Sequence, residues 1–255
     1  MRAALRSAAM QLKNTLARQV IQFIILIQPI VFATLSYFIL RHRPGVDMAS
    51  YIVIGSGLIS LWSAALFSSA GDLDRERRMG NFEYLLVTPT PFETIILGKI
   101  VGNTLLGFGS MAMSYLYATL VLRADFAVRA PMLFVLGFVG TLVSFLGISL
   151  VLASAFTLSR SARLIVNGME YPIYLVSGVM FPLTLLPQWA QVIGHLVPLT
   201  WARATLQAAA AGLPASFWPA FWGLLGTGAL YYLVGRVMFD GVLRRLRVRG
   251  DAGVY

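Results

Sequence analysis

FSSAGDLDRERRMGNFEYLLVTPTPFETIILGKIVG, residues 67–102, lies between two apolar stretches and changes character three times. From Asp72 to Arg78 every residue except Leu73 is charged, so this run has to face water. Phe82, Leu85 and Leu86 then recur at helical i, i+3, i+4 spacing, which predicts a short helix with one apolar face. Pro89 and Pro91 remove backbone donors and force extended geometry before them, so the helix ends there. Phe92, Ile95 and Ile96 start the next. Something has to cover the apolar face. It is either lipid headgroups, with the helix lying in the interface, or a soluble protein that docks on it.

Composition sets the solvent of the rest. Hydrophobic residues make up 58% of the 255, charged residues 12%, and the mean hydropathy is +0.77, far more apolar than a globular domain. The chain reads as an integral membrane protein. It has no cysteine, which excludes disulfides, thiolate catalysis and cysteine metal sites. The net charge of +10 sits beside apolar runs and fits anionic lipid rather than nucleic acid.

Crossing about 30 Å of hydrocarbon takes about 20 helical residues, and six runs qualify: near 20–40, 48–70, 95–122, 131–158, 164–182 and 217–239. The fold class expected is all-α, one transmembrane domain of six spans over residues 1–255. The first span lacks the short apolar core and cleavage site of a signal peptide and is expected to be retained. Leu5, Ala9, Leu12 and Leu16 share a helical face bordered by Arg2, Arg6 and Lys13, as in a helix lying in the membrane plane. An even number of spans puts both termini on one side together with residues 71–94. That side carries fifteen Lys and Arg against five opposite (Arg41, Arg43, Arg123, Arg129, Arg203), and the positive-inside rule makes it the cytoplasm. Arg244, Arg245, Arg247 and Arg249 directly after the last span read most simply as headgroup contacts.

Residues 177–213, SGVMFPLTLLPQWAQVIGHLVPLTWARATLQAAAAGL, are apolar with only His195 and Arg203 ionisable. Pro182, Pro187 and Pro198 cut the stretch into helical pieces, each too short to cross. A re-entrant pair that dips in from the outer side satisfies its backbone while staying apolar. Phe181 and Trp189 are expected to gate with these prolines. Within the spans, Glu170 stands near Asn167, Tyr171 and Tyr174. A carboxyl there is expensive unless paired or wet, and its first reading is a structural, hydrogen-bonded group that tolerates Gln better than Ala. A residue lining a cargo cavity is the second reading, a proton-coupling site the third. Gln22, Gln28 and Asn103 are read first as interhelical hydrogen bonds, and with Asn167 and Glu170 as possible pathway residues. Gly98 and Gly102 form a small-x-x-x-small pair. His195 is read as a hydrogen-bonding residue. No metal-ligand spacing or catalytic constellation is visible.

Two regions carry a family resemblance. Asp72–Arg78 followed by Glu83-Tyr84-Leu85-Leu86-Val87-Thr88-Pro89 and Ile96-Leu97-Gly98-Lys99, and then Ser177-Gly178-Val179-Met180-Phe181-Pro182 with Leu186-Pro187 and His195-Leu196-Val197-Pro198-Leu199-Thr200, are similar to the permeases of ABC-2 type ABC exporters. The resemblance implies a six-span subunit that pairs with a second six-span permease, identical or not, and with cytosolic ABC ATPase subunits that hold ATP and magnesium. It makes the linker around Glu83 the part that docks on the ATPase, with Arg75, Arg77, Arg78, Phe82, Leu85 and Leu86. A separate ATPase also agrees with the residues: no G-x-x-x-x-G-K-[ST] occurs, since Gly98-Lys99 is followed by Ile100 and Glu93 stands where the first glycine belongs. The expected function is ATP-driven export of a hydrophobic or amphipathic cargo (drug, antibiotic or lipid) across a bacterial inner membrane. A lipid-linked polysaccharide exporter is the runner-up, ahead of a proton-coupled secondary transporter using Glu170 or a membrane scaffold.

Overall fold

The computed structural model of the chain describes residues 19–42, 47–63, 109–158 and 162–249. The linker with Arg75, Arg77, Arg78, Phe82, Glu83, Leu85 and Leu86, the N-terminal surface helix, Gly98, Gly102 and Asn103 lie outside the described residues. Among those described every regular element is helical, the form in which apolar segments satisfy their own backbone. The long helices are α1 (Gln19–Leu40), α2 (Met48–Ser63), α3 (109–120), α4 (Pro131–Leu158) and α5 (Ala162–Val176). Two short helices follow, α6 (Gln188–Leu196) and α7 (Pro198–Ala211), then the long α8 (Pro214–Arg249). Within α4, the 22 residues Pro131–Leu152 are long and apolar enough to cross a membrane, with mean hydropathy 2.4. Leu26–Leu40 and Met48–Ser63 are shorter apolar stretches.

α2 is the centre. Asp47 caps it, accepting from the Ser50 amide at 3.3 Å and the Ser50 hydroxyl at 2.5 Å, and every residue from Ser50 to Ser63 is buried. A single π-helical turn, Tyr51–Gly55, interrupts it. Its small residues let neighbours approach. Ser56 meets Ser114 of α3 at 2.5 Å, a side chain on Gly57 would press on Met111, and one on Gly55 would collide with the Val179 carbonyl. Trp62 packs edge-on against Phe145 of α4 at 5.3 Å.

Side-chain pairs give the directions. Gln28 reaches Ser63 while Ala33 packs with Ile52 and Val53, Ser56 reaches Ser114 while Gly57 faces Met111, and Ser63 reaches Glu170 while Gly55 faces Val179, so α1, α3 and α5 each run against α2. α4 and α8 run parallel to each other. Gly137 faces Phe217, Gly140 faces Phe221, Gly147 faces the Gly228 carbonyl, and Gly235 faces Val151. Gly137, Gly140, Ser144, Gly147, Val151 and Ser154 recur at alternating steps of three and four, one stripe of small residues along which the two helices approach closely. The Ser144 hydroxyl donates across it to the Leu224 carbonyl at 2.8 Å.

The region between α5 and α8 is broken as the prolines predict. α5 ends at Val176, short of the expected 182, because Gly178 turns into the left-handed region (φ 67°), and the Leu183 side chain fills the space beside it. Pro182 precedes a 3₁₀ turn at Leu183–Leu185, Pro187 precedes α6, and Pro198 opens α7. At 1.5 Å per residue α6 and α7 span about 13 and 21 Å, less than the roughly 30 Å of a hydrocarbon core. They close into a hairpin through the Thr200 hydroxyl on the Gly194 carbonyl at 2.6 Å and the Trp201 indole on the His195 carbonyl at 2.8 Å. α7 ends at left-handed Gly212, beside the start of α4, where the Arg129 amide donates to Ala210 at 3.0 Å. α8 is longer than the 217–239 expected, starting three residues earlier and continuing to Arg249.

The α4–α8 seam depends on absent side chains. Gly147→Ala, whose Cβ would meet backbone on α8, is expected to cost about 1–3 kcal/mol. Gly226→Ala, on the same helix pair but in open space, is expected to be neutral or up to about 1 kcal/mol stabilising. Thermal unfolding of the two variants in detergent checks this, and equal midpoints would contradict the seam.

Candidate functional site

Between α1 and α5 lies an open groove of about 550 Å3. Its walls are Phe23, Val31, Phe32, Leu35, Tyr171, Leu175 and Met180, and its polar floor is Gln28, Glu170 and Tyr174. Each wall follows from helical spacing. Phe23, Ile27, Val31 and Leu35 form the outward stripe of α1, and Tyr171 and Leu175 that of α5, all well exposed in the isolated chain. Such a continuous apolar face is a place for lipid, cargo or another protein. Phe32 and Tyr174 meet edge-on at 5.6 Å where the two helices close.

The floor is a hydrogen-bonded cluster shared by three helices. Glu170 is 7% exposed, and its Oε1 accepts from the Ser63 hydroxyl at 2.6 Å and the Tyr174 hydroxyl at 2.5 Å. Ser63 and Tyr174 are themselves 2.5 Å apart. Gln28 Nε2 donates to Ser63 Oγ at 2.7 Å, while Gln28 Oε1 is buried with no hydrogen-bond partner among the described residues. The spacing Glu170–Tyr174 is one helical turn, which brings both side chains to the same face. Ser63 joins them because α2 runs antiparallel and is buried all round. The carboxyl is therefore held by the fold and at the same time lines the groove.

Of the residues expected to matter, Gln28 makes the interhelical bond foreseen, and Glu170 is both hydrogen-bonded and groove-lining. Gln22 and Asn167 fall on α1 and α5 with side chains outside the described part. Phe181 packs against the main core cluster, whereas Trp189 is 67% exposed and continues with Val192, Ile193 and Leu196 along the outer face of α6. His195 bonds the Gln191 carbonyl through Nδ1 at 2.7 Å and meets the Trp201 ring at 5.5 Å, a local structural role. Arg203, treated as an outer-side cation, lies over the Tyr51 ring at 4.7 Å and joins α7 to the π turn of α2. Ser63 was not foreseen. A serine closing a Ser56, Ser60, Ser63 series in an apolar helix was the signal available for it. Among the described residues no group of His, Asp or Glu converges as a metal site.

Comparison with known proteins decides the family. A family model described as ABC-2 type transporter matches residues 7–210. The chain belongs to the ABC-2 type transporter family. Members are membrane permeases, transport components that normally work with an ABC ATPase and are not ATPases themselves. The chain is also similar to the inner membrane transport permease YhhJ of Escherichia coli K12 and of Shigella flexneri, at 27% identity over 209 residues in each case. The match covers 78% of this chain and 54% of each relative, so the chain spans about half the length of the curated relatives it matches.

The cluster ranks its own members. Ser63→Ala removes contacts to Gln28, Glu170 and Tyr174, all on other helices, while Tyr174→Phe removes one within its own helix, one to Ser63 and a long one of 3.5 Å to the Ile59 carbonyl. With interhelical side-chain hydrogen bonds in membranes worth about 0.6 kcal/mol on average and up to about 1.7, Tyr174→Phe is expected to cost about 1 kcal/mol and Ser63→Ala more. Unfolding by graded denaturing detergent reads the order, and a Ser63→Ala protein as stable as the parent would contradict the cluster.

Proposed function

We propose that the protein is one half of the transmembrane domain of an ATP-driven exporter of hydrophobic or amphipathic molecules. The observation that carries this reading is the α1–α5 groove, with apolar walls and a polar floor, open on the flank of the bundle. A second six-span permease, identical or related, would face its own groove to this one and enclose a pathway. A volume near 550 Å3 per subunit suits a small amphipathic cargo better than a polysaccharide.

In this reading all six long helices cross a bacterial inner membrane, with both termini and the 71–94 linker in the cytoplasm. The alternation of helix directions agrees with six crossings. It also gathers Arg41, Arg123, Arg129 and Arg203 at the end where the α6–α7 hairpin lies, the end poor in basic residues and therefore the outer one. The hairpin, with Phe181, Pro182, Pro187, Trp189 and Pro198, closes the pathway on that side. Cytosolic ABC ATPases, carrying ATP and magnesium, dock on the linker at Arg75, Arg77, Arg78, Phe82, Glu83, Leu85 and Leu86. Their closure moves α2, which enters the linker from the centre of the bundle, and α2 in turn bears on the groove through Ser63 and on the hairpin through Gly55 and Tyr51.

Replacing Leu85 and Leu86 together with Asp places two charges in the docking face, and burying an unpaired charge at an interface costs about 3–5 kcal/mol. The double variant is expected to insert normally but to lose its ATPase on co-purification. Wild-type recovery of the ATPase would refute the docking assignment.

A further inference from the structure

We propose that the α1–α5 groove selects cargo bearing a protonated amine on an apolar body, with Glu170 receiving the ammonium. This rests on the transport reading above and names the chemistry of its cargo.

The floor's hydrogen-bond inventory points this way. The Ser63 and Tyr174 hydroxyls both lie within hydrogen-bond distance of Glu170 Oε1 and of each other, and Gln28 Nε2 donates to Ser63. These donors are turned inward, onto one another. Acceptors are in surplus: a carboxyl has about four lone-pair sites, of which two are taken, and Gln28 Oε1 has no partner among the described residues. Against these acceptors stands one spare donor, the second Nε2–H of Gln28, so a group that completes this floor brings N–H donors.

Charge and walls select further. Among the described residues no basic side chain lines the groove, and the other described acids, Asp47, Asp125 and Asp240, are exposed to the surroundings, so among them Glu170 is the acid presented to an apolar space. A carboxylate there attracts a cation that can reach it through apolar walls. Phe23, Phe32, Tyr171 and Tyr174 add ring faces around the same space, which favour a cation over an anion of equal size. The aliphatic Val31, Leu35, Leu175 and Met180 take the hydrocarbon body. A free ammonium without such a body gains little here, and an alcohol of the same body leaves the carboxyl uncompensated.

The test is equilibrium dialysis of the full chain in phosphatidylcholine nanodiscs against octylamine, which is protonated at pH 7, with 1-octanol and octyltrimethylammonium as controls and empty nanodiscs subtracted. Octylamine is expected to bind saturably and at least tenfold more tightly than either control. Glu170→Gln is expected to remove that preference. Leu175→Trp, at the exposed rim and away from the cluster, is expected to weaken all three ligands together, which keeps the site testable if the Glu170 variant misfolds. Equal affinity for octylamine and 1-octanol in the parent protein, or an unchanged preference in folded Glu170→Gln, would overturn the proposal. So would full displacement of octylamine by phosphatidylethanolamine, which would assign the site to a lipid headgroup. No ATP enters this measurement. Amine preference without ATP-driven flux in the complex with its ATPase would sink the exporter reading alone, and flux without amine preference would sink this inference alone.

Discussion

A carboxyl group inside a bundle of apolar helices has to find its partners within the fold, because the surroundings supply none. Glu170 finds them on two helices besides its own turn: Ser63 directly and Gln28 through Ser63, with Tyr174 one turn along α5. That requirement fixes the register of α5 against α2 and of α1 against both. A slip of one residue on any of the three would strand the carboxyl. Around this polar floor the groove has apolar walls of Phe23, Val31, Leu35, Tyr171 and Leu175.

The opposite side of the bundle is organised by size rather than polarity. α4 and α8 approach until backbone meets backbone at Gly147 and Gly228, which dispersion and close packing stabilise where no hydrophobic driving force separates helix from lipid. α2 stands between these two regimes. It offers serines to α5 and α3 and Trp62 to α4, and its π turn lets Gly55 lie against Val179 and Tyr51 against Arg203. Buried from Ser50 to Ser63, it touches α5, α4 and α7 at once.

Much of this was legible in the residues. Apolar composition marked an all-helical chain, and Pro182, Pro187 and Pro198 placed the breaks around α6 and α7. The cost of intramembrane charge singled out Glu170, and Gln28 was read as an interhelical bond. Other features were illegible for physical reasons. Hydropathy is blind to the left-handed turn at Gly178 that ends α5 early, since a glycine in an apolar run reads as more span. The stripe from Gly137 to Ser154 has a visible period, but its partner is a matter of tertiary arrangement, and the pair chosen from sequence, Gly98 and Gly102, lies outside the described residues. Ser63 is one serine among several until α5 runs antiparallel beside it. Glu170 itself was read first as structural, with cavity lining as the lesser reading; the fold makes those two descriptions compatible, because the oxygen that ties the helices together belongs to a group that also faces the groove.

In the proposed transport cycle the groove belongs to a pathway whose exposure changes when the ATPase closes. The chain has no cysteine, so a single one at Leu35, on the groove wall, reports on it without background. In the reconstituted complex with its ATPase, the rate of modification by a membrane-impermeant thiol reagent from the outer side should rise several-fold when the ATPase is trapped with ATP and vanadate, relative to the nucleotide-free state. Identical rates in the two states, with the ATPase bound and active, would contradict it.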